Sequence, residues 1–287
     1  MLYGTAATET TLVIATYDRV SGVMGSPQVL LGGAQQIDYI DVSPDAKWVA
    51  FGTADRQEDL FLVRTDGTGF RQLTDDGYRD RGPRWSPDGS RLMFYSNRGG
   101  PYNLWSIRPD GSRLEIVARS QEPLLRPTWS PDGRLVMAKN FDRGSLIMID
   151  LEKPIEQRVQ ELKGTEGLGL IPQAWSPDGR FVAAALETGD KAANIFMVTP
   201  AGQVRRMPVG SDIWEGALAW LPDSSGVLFG ASRIGINLLD VATGKVRQVA
   251  ARPRVEVPSL ALSDDGRTIV FTEMRMVGDL WIMAKGR

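Results

Sequence analysis

One four-residue turn, written six times at intervals of 42 to 46 residues, constrains this 287-residue chain more than anything else in it. The copies are Ser43-Pro44-Asp45-Ala46, Ser86-Pro87-Asp88-Gly89, Ser130-Pro131-Asp132-Gly133, Ser176-Pro177-Asp178-Gly179, Leu221-Pro222-Asp223-Ser224 and Ser263-Asp264-Asp265-Gly266. Proline presets φ at the first central position, aspartate suits the second, and glycine accepts the left-handed conformation that returns the chain beside itself. Apolar segments flank the copies, such as Arg84-Trp85 before and Leu92-Met93-Phe94 after, or Ala174-Trp175 before and Phe181-Val182-Ala183 after. Each copy therefore predicts a hairpin of two strands, a and b.

A third apolar segment, strand c, follows each hairpin, as in Asp59-Leu60-Phe61-Leu62-Val63, Asn103-Leu104-Trp105-Ser106-Ile107 and Asn194-Ile195-Phe196-Met197-Val198. A shorter strand d closes the unit, as in Arg71-Gln72-Leu73 and Arg247-Gln248-Val249. No stretch sustains the 3.6-residue period of a helix over ten or more residues. Four short strands at a fixed period describe an all-β protein built as a β-propeller of four-stranded antiparallel blades. The expectation is one propeller domain over residues 1–287, either free-standing or the carboxyl part of a longer parent.

The ends complicate the blade number. A seventh strand c reads at Leu12-Val13-Ile14-Ala15-Thr16-Tyr17, a strand d at Val29-Leu30-Leu31, and the tail of a strand b at Met1-Leu2-Tyr3. The chain finishes on Asp279-Leu280-Trp281-Ile282-Met283, which also reads as strand c. Because the early strand is strongly apolar and needs burial, the expectation is seven blades, two of them incomplete and meeting at the seam. The alternative is six, with the N-terminal strand closing the last blade.

Composition narrows the function. A formal net charge of −2 gives no reason to expect a nucleic-acid partner. No basic run or long apolar stretch suggests direct membrane insertion, and no signal peptide reads at the start. The chain as written reads as cytoplasmic, with the periplasm as the alternative if a segment precedes it; a monomer is expected. There is no histidine, hence neither the commonest general base and metal ligand nor the usual nucleophilic triads. Cysteine is absent too. Neither G-x-S-x-G nor a Walker loop occurs, and Gly167-Leu168-Gly169 lacks the third glycine of a phosphate loop. Asp88, Asp132 and Asp178 sit where the turn itself wants aspartate. No catalytic residue, metal site or cofactor is expected.

Recognition residues are sought in the loops that enter strand a and join b to c, which share one face around the channel. The richest is Asp75 through Arg84, where Tyr78, Arg79, Asp80, Arg81 and Arg84 offer an aromatic ring and three guanidinium groups within seven residues. Tyr102, Arg126, Trp214 and Glu215 complete the candidate set. Arginine grips carboxylate or phosphate at two points, and Tyr and Trp supply stiff contact area. The plainer reading is internal salt bridging among Arg79, Asp80, Arg81 and Glu58, with the tyrosines as loop plugs. Trp85, Trp129, Trp175 and Trp220 precede the turn and are expected to pack between blades.

The run Trp85-Ser86-Pro87-Asp88-Gly89, then Phe94-Tyr95-Ser96-Asn97-Arg98, then Asn103-Leu104-Trp105-Ser106-Ile107-Arg108-Pro109-Asp110-Gly111, resembles the TolB-type, WD-repeat-like bacterial β-propeller family. The Gly-His and Trp-Asp signatures of true WD repeats are missing. The resemblance covers residues 11 to 287. It implies a non-catalytic interaction or sensor module that binds a protein, peptide or small ligand at its loop face and channel mouth. Such propellers serve as the partner-binding half of the periplasmic Tol–Pal system and as appendages of membrane receptors, kinases and winged-helix regulators. No N-terminal α/β domain like that of TolB is recognisable here. The alternatives are a carbohydrate-binding propeller stacking sugars on Trp214, Tyr78 and Tyr102, or a propeller hydrolase or lyase working without histidine.

Overall fold

The computed structural model describes residues 2–33, 36–54, 57–186, 194–232 and 234–282, with the side chains of 2–7, 215 and 276–282 excepted. Six sheets form, and each is a blade. Blade 1 runs Ile37–Val42, Trp48–Thr53, Leu60–Arg64, Arg71–Gln72; blade 2 Asp80–Trp85, Leu92–Ser96, Asn103–Ile107, Glu115–Ala118. Blade 3 runs Leu124–Trp129, Leu135–Asn140, Ser145–Asp150, Val159–Glu161; blade 4 Leu170–Trp175, Val182–Leu186, Asn194–Val198, Val204–Pro208. Blade 5 is Ile213–Trp220, Gly226–Ala231, Gly235–Asp240, Val246–Ala251. Strand a of each blade touches strand a of the next, and that of the sixth returns to the first, so the ring is closed. The only helical element among the described residues is a 3₁₀ turn at Ile155–Gln157.

The sixth blade corrects the expectation of seven. Its strands a and b are Leu260–Leu262 and Thr268–Ile282, and its strand c is Leu2–Asp18 from the other end of the chain, followed by Gln28–Leu31 as strand d. The early apolar strand is therefore not surplus. It pairs Leu12 with Thr272 and Ile14 with Val270, and Leu12 and Val13 are buried in the blade interfaces. The segment from Asp279, read from sequence as another strand c, is instead the continuation of strand b, pairing Asp279 with Thr5 and Trp281 with Tyr3. Leu2 and Tyr3 likewise belong to strand c, not to the tail of a strand b. Met1 and Met283 lie outside the described residues. One long antiparallel ribbon has the local apolar signature of two strands in series.

The turns hold themselves together. The Ser86 hydroxyl donates to the Asp88 carboxylate at 2.5 Å and accepts the Arg91 N–H at 3.0 Å. The same pair of bonds recurs at Ser43, Ser130, Ser176 and Ser263. Serine's hydroxyl holds Asp45, Asp88, Asp132 and Asp265 below the usual carboxylate range. The fourth turn residue is left-handed throughout, including Ala46 (φ 58°) and Ser224 (φ 59°) where glycine is missing.

Packing lies between blades rather than within one globule, with six apolar clusters that each straddle a pair of neighbouring blades. The tryptophans before the turns sit in these seams, as expected. The indole N–H of Trp129 donates to the Arg84 carbonyl, Trp175 to Thr128 at 3.1 Å and Trp220 to Ala174 at 3.0 Å, always one blade back. A buried aromatic ring with its polar edge satisfied both fills the wedge and fixes the blade angle. Replacing Trp175 by Ala should therefore cost about 3–5 kcal/mol through the cavity left beside Met137, Leu146 and Val182. Urea unfolding would measure it, and a loss below ~1 kcal/mol would refute the wedge role.

Candidate functional site

A β-bulge interrupts strand a in blades 1 to 5, between Asp38 and Ile40, Arg81 and Arg84, Leu125 and Thr128, Pro172 and Ala174, and Ile213 and Leu218. The extra residue re-aims its neighbours toward the channel. In blades 1 to 3, Tyr39, Gly82 and Arg126 stand four residues before the turn serine, and all three are left-handed, with φ of 46°, 63° and 56°. Glycine adopts that conformation freely, whereas tyrosine and arginine are strained in it by about 1–3 kcal/mol each. A Cβ on Gly82 would fall 2.7 Å from Tyr95 Cε1, so blade 2 presents no side chain there. Across that gap the Arg126 guanidinium of blade 3 lies 3.5 Å over the Tyr39 ring of blade 1 and donates to its hydroxyl.

Tyr39 and Arg126 border a cavity of about 280 Å³ at the loop-face mouth of the channel, spanning blades 1 to 4. Among the described residues, its charged lining is Asp38, Glu58, Arg81, Arg126 and Lys139. Arg81 forks onto Glu58 at two points, Nη2 reaching Oε1 at 2.5 Å, and its guanidinium lies 5.6 Å from the Tyr102 ring. Burial raises the Tyr95 hydroxyl, keeping it neutral as a donor. Lys139 is only 2% exposed, with its ammonium 5.4 Å from the ring of Phe141, which is itself half exposed at the rim.

The remaining candidates are placed elsewhere. Arg84 lies on the other side of the bulge, bonded to the Ile40 carbonyl at 3.0 Å and 3.9 Å from Asp41. It borders a second cavity of about 380 Å³ on the turn face, to which all six blades contribute. Burial pushes Asp41 there up to about 6, although its carboxylate accepts the Trp85 N–H at 2.7 Å. Asp80 is fully buried and paired to Arg98, which also reaches Asp76 at 3.1 Å and is enclosed by the rings of Tyr78, Phe94 and Trp105. This clasp anchors the loop that carries Tyr78 and Arg79, the latter exposed and held through its backbone N–H to Asn97 at 2.8 Å. Tyr102 packs edge-on against Tyr95. Trp214 donates to Glu256 at 2.9 Å and packs on the cluster between blades 5 and 6, away from this mouth. The Glu215 side chain lies outside the described residues. Tyr78, Tyr102 and Trp214 are not among the residues that line this mouth.

Sequence reasoning missed Tyr39, Asp38 and Lys139. Lys139 did leave a signal, a charge inside the otherwise apolar run Leu135-Val136-Met137-Ala138.

Asp59, 2% exposed beside the clasp, accepts from Gln72 at 2.9 Å. Burial first, then the nearby Asp80 charge, pushes its carboxyl up to about 6. A carboxyl raised in the folded state adds stability while protonated, and that contribution fades as pH climbs through about 6. Asp59→Asn should therefore raise Tm at pH 7.5 by roughly 2–6 °C, a gain that vanishes near pH 4. Thermal unfolding across that range is the check; a gain that grows on acidification would reverse the assignment.

A model of the TolB β-propeller domain matches residues 101–285. Among curated relatives, an uncharacterised protein of Agrobacterium fabrum is 32% identical over 41% of this chain and 40% of its own length. A TolB homologue of Chlorobium luteolum is 26% identical over 57% of this chain and 37% of its own. Dipeptidyl-peptidase 5 of Porphyromonas endodontalis is 31% identical over 39% and 17% respectively. Each alignment thus spans less than half of the relative. Of solved structures, a TolB-type protein from Agrobacterium tumefaciens superposes with a TM-score of 0.69 at 16% identity, over 94% of this chain and 99% of that one. An oligogalacturonate lyase from Vibrio parahaemolyticus gives 0.56 at 17% identity, over 92% and 77%. At such identities the likeness is one of fold. Together with the six-bladed ring and its serine-anchored turns, the matched domain model settles membership: the chain belongs to the TolB β-propeller family.

Proposed function

We propose that this propeller is a non-catalytic protein-interaction module that receives a protein segment or peptide at the loop-face mouth of its channel. The observation that carries the reading is the cavity between blades 1 and 4, where backbone strain at Tyr39 and Arg126 coincides with concentrated charge and a half-exposed Phe141. Strain of this kind persists only where the surroundings enforce it, and it gathers at binding sites. The aromatic rim beside arginine is the composition of an interface hot spot. Family membership supports a partner-binding role, since the curated relatives include Tol-Pal system TolB proteins.

A catalytic reading finds less to stand on. The chain has no histidine or cysteine, and its turn aspartates are absorbed by their own serines. The resemblance to a lyase is a likeness of architecture, and architecture does not carry chemistry.

Two half-exposed phenylalanines provide a matched test, because Phe141 lies at the mouth while Phe70 stacks on Phe61 at a cavity beside Leu31 and Gly32. Peptides selected on the wild-type ring from a displayed library should lose about tenfold in affinity on Phe141→Ser. Phe70→Ser should leave binding unchanged. The reverse pattern would move the interface off the mouth.

A further inference from the structure

Two departures from the repeat meet at the turn-face end of the channel. Five of the six turns put proline at its rim, Pro44, Pro87, Pro131, Pro177 and Pro222, and the sixth puts Asp264 there. Three residues before the turn, five blades place Ile40, Pro83, Pro127, Leu218 and Leu260, whereas blade 4 places Gln173. Gln173 is the extra residue of its bulge, is 4% exposed and lines the cavity of about 380 Å³. Its amide has no hydrogen-bond partner among the described residues, yet it is not sealed off as the indole nitrogen of Trp85 is, so it opens on the cavity. A buried amide without a partner is costly, and a ligand that supplies one removes the cost.

Charge points the same way. The charged groups of the lining are Asp41, Asp264 and Arg84, and every turn around this end lies within the described residues. Arg84 is committed to Asp41 and to the Ile40 carbonyl. Asp264 has no ion pair or hydrogen bond among the described residues; partial desolvation at the mouth, then the Asp265 charge, raise its carboxyl although the residue stays exposed. A carboxylate without a cation, at an opening walled by proline and tryptophan, draws positive charge.

We propose that the turn-face mouth binds a small organic molecule with a primary ammonium group and an apolar body, its charge toward Asp264 and Asp41 and a polar group of its own on Gln173. The site lies at the other end of the channel from the partner proposed above and stands without that reading. Size fits a whole small molecule, because about 380 Å³ falls within the range of roughly 300–1,000 Å³ typical of such pockets. The apolar body has its place too, against Ala174, Ala219 and Ala261 on the far side from Arg84. Among the described residues no three acidic side chains gather as a metal cage, which makes the cation an organic one.

The test uses the whole chain and phenylalaninamide, which joins an ammonium, an amide and an apolar ring, beside its neutral N-acetyl form, its N-trimethyl form and calcium chloride. Calorimetry should find phenylalaninamide bound about tenfold tighter than the N-acetyl form. Asp264→Pro should erase that difference; it supplies the proline that five turns already carry and loses no backbone hydrogen bond. Gln173→Leu, which copies blades 5 and 6, should weaken phenylalaninamide while raising Tm by about 2 °C, since it removes a buried amide that nothing inside the protein satisfies. A fall in Tm would show that Gln173 serves the fold and would overturn its role in binding. Phe141→Ser, at the loop face, should change nothing; loss of binding there would place the probe at the wrong end of the channel. Equal binding of the ammonium and N-acetyl forms would overturn the charge assignment, and tighter binding of the trimethyl form would overturn the hydrogen-bonded primary ammonium. Calcium that displaces phenylalaninamide at equal concentration would overturn the organic cation. Absence of saturable phenylalaninamide binding would overturn the site and leave the loop-face reading standing.

Discussion

Everything in this molecule depends on one pairing between the two ends of the chain. Leu2–Asp18 runs antiparallel to Thr268–Ile282 over fifteen residue pairs, and that ribbon turns a row of sheets into a ring. Each blade buries its apolar faces against its neighbours, so an open array would expose two of them at its ends. Closure places Leu12 and Val270 against Ile40 and Phe51 of blade 1, and Tyr17, Ile269 and Phe271 against Leu228 and Leu238 of blade 5. The hydrogen bonds of one strand pair therefore license the burial of two interfaces.

Once closed, a ring of near-identical blades gains function only by departing from its own symmetry. Two residues before the turn, blades 1 to 3 place Asp41, Arg84 and Thr128, while blades 4 to 6 place Ala174, Ala219 and Ala261. The channel thus has a polar half and a small, apolar half. Bulges with left-handed residues at Tyr39, Gly82 and Arg126 fall in the polar half too. Blade 4 has Pro172 in the corresponding place, and proline cannot adopt positive φ. Blades 1 to 3 therefore carry polar side chains at the turn end of the channel and backbone strain at its loop end, supported by a rigid scaffold on every side.

The local parts of the fold were legible because their causes are local. Ser-Pro-Asp-Gly closes its own hydrogen bonds within six residues, so the turn, its flanking strands and the harmlessness of Asp88 or Asp178 all read directly. The blade number was not, because Asp279–Ile282 is apolar whether it begins a strand c or prolongs a strand b, and only its distant pairing with Leu2–Thr5 decides. The site was half legible for the same reason. Arg81 and Arg126 stood out as cations in loop-face positions, but their meeting with Tyr39 and Lys139 comes from three blades at once. Trp214 looked exceptional in sequence because it matches no repeat register, yet its ring is tied to Glu256. Irregularity in a repeat marks a special place without saying whether the place is a seam or a site.

The central claim is that partners meet this ring on the loop face, at the arc formed by blades 1 to 3. Amide hydrogen exchange of the whole chain, with and without a saturating bound peptide, tests it most directly. We expect slowed exchange concentrated at the starts of the three strands a, around residues 38–40, 81–82 and 125–126, with the turns at Ser86 and Ser130 unchanged. Slowing confined to those turns, or to the outer strands d, would contradict the account.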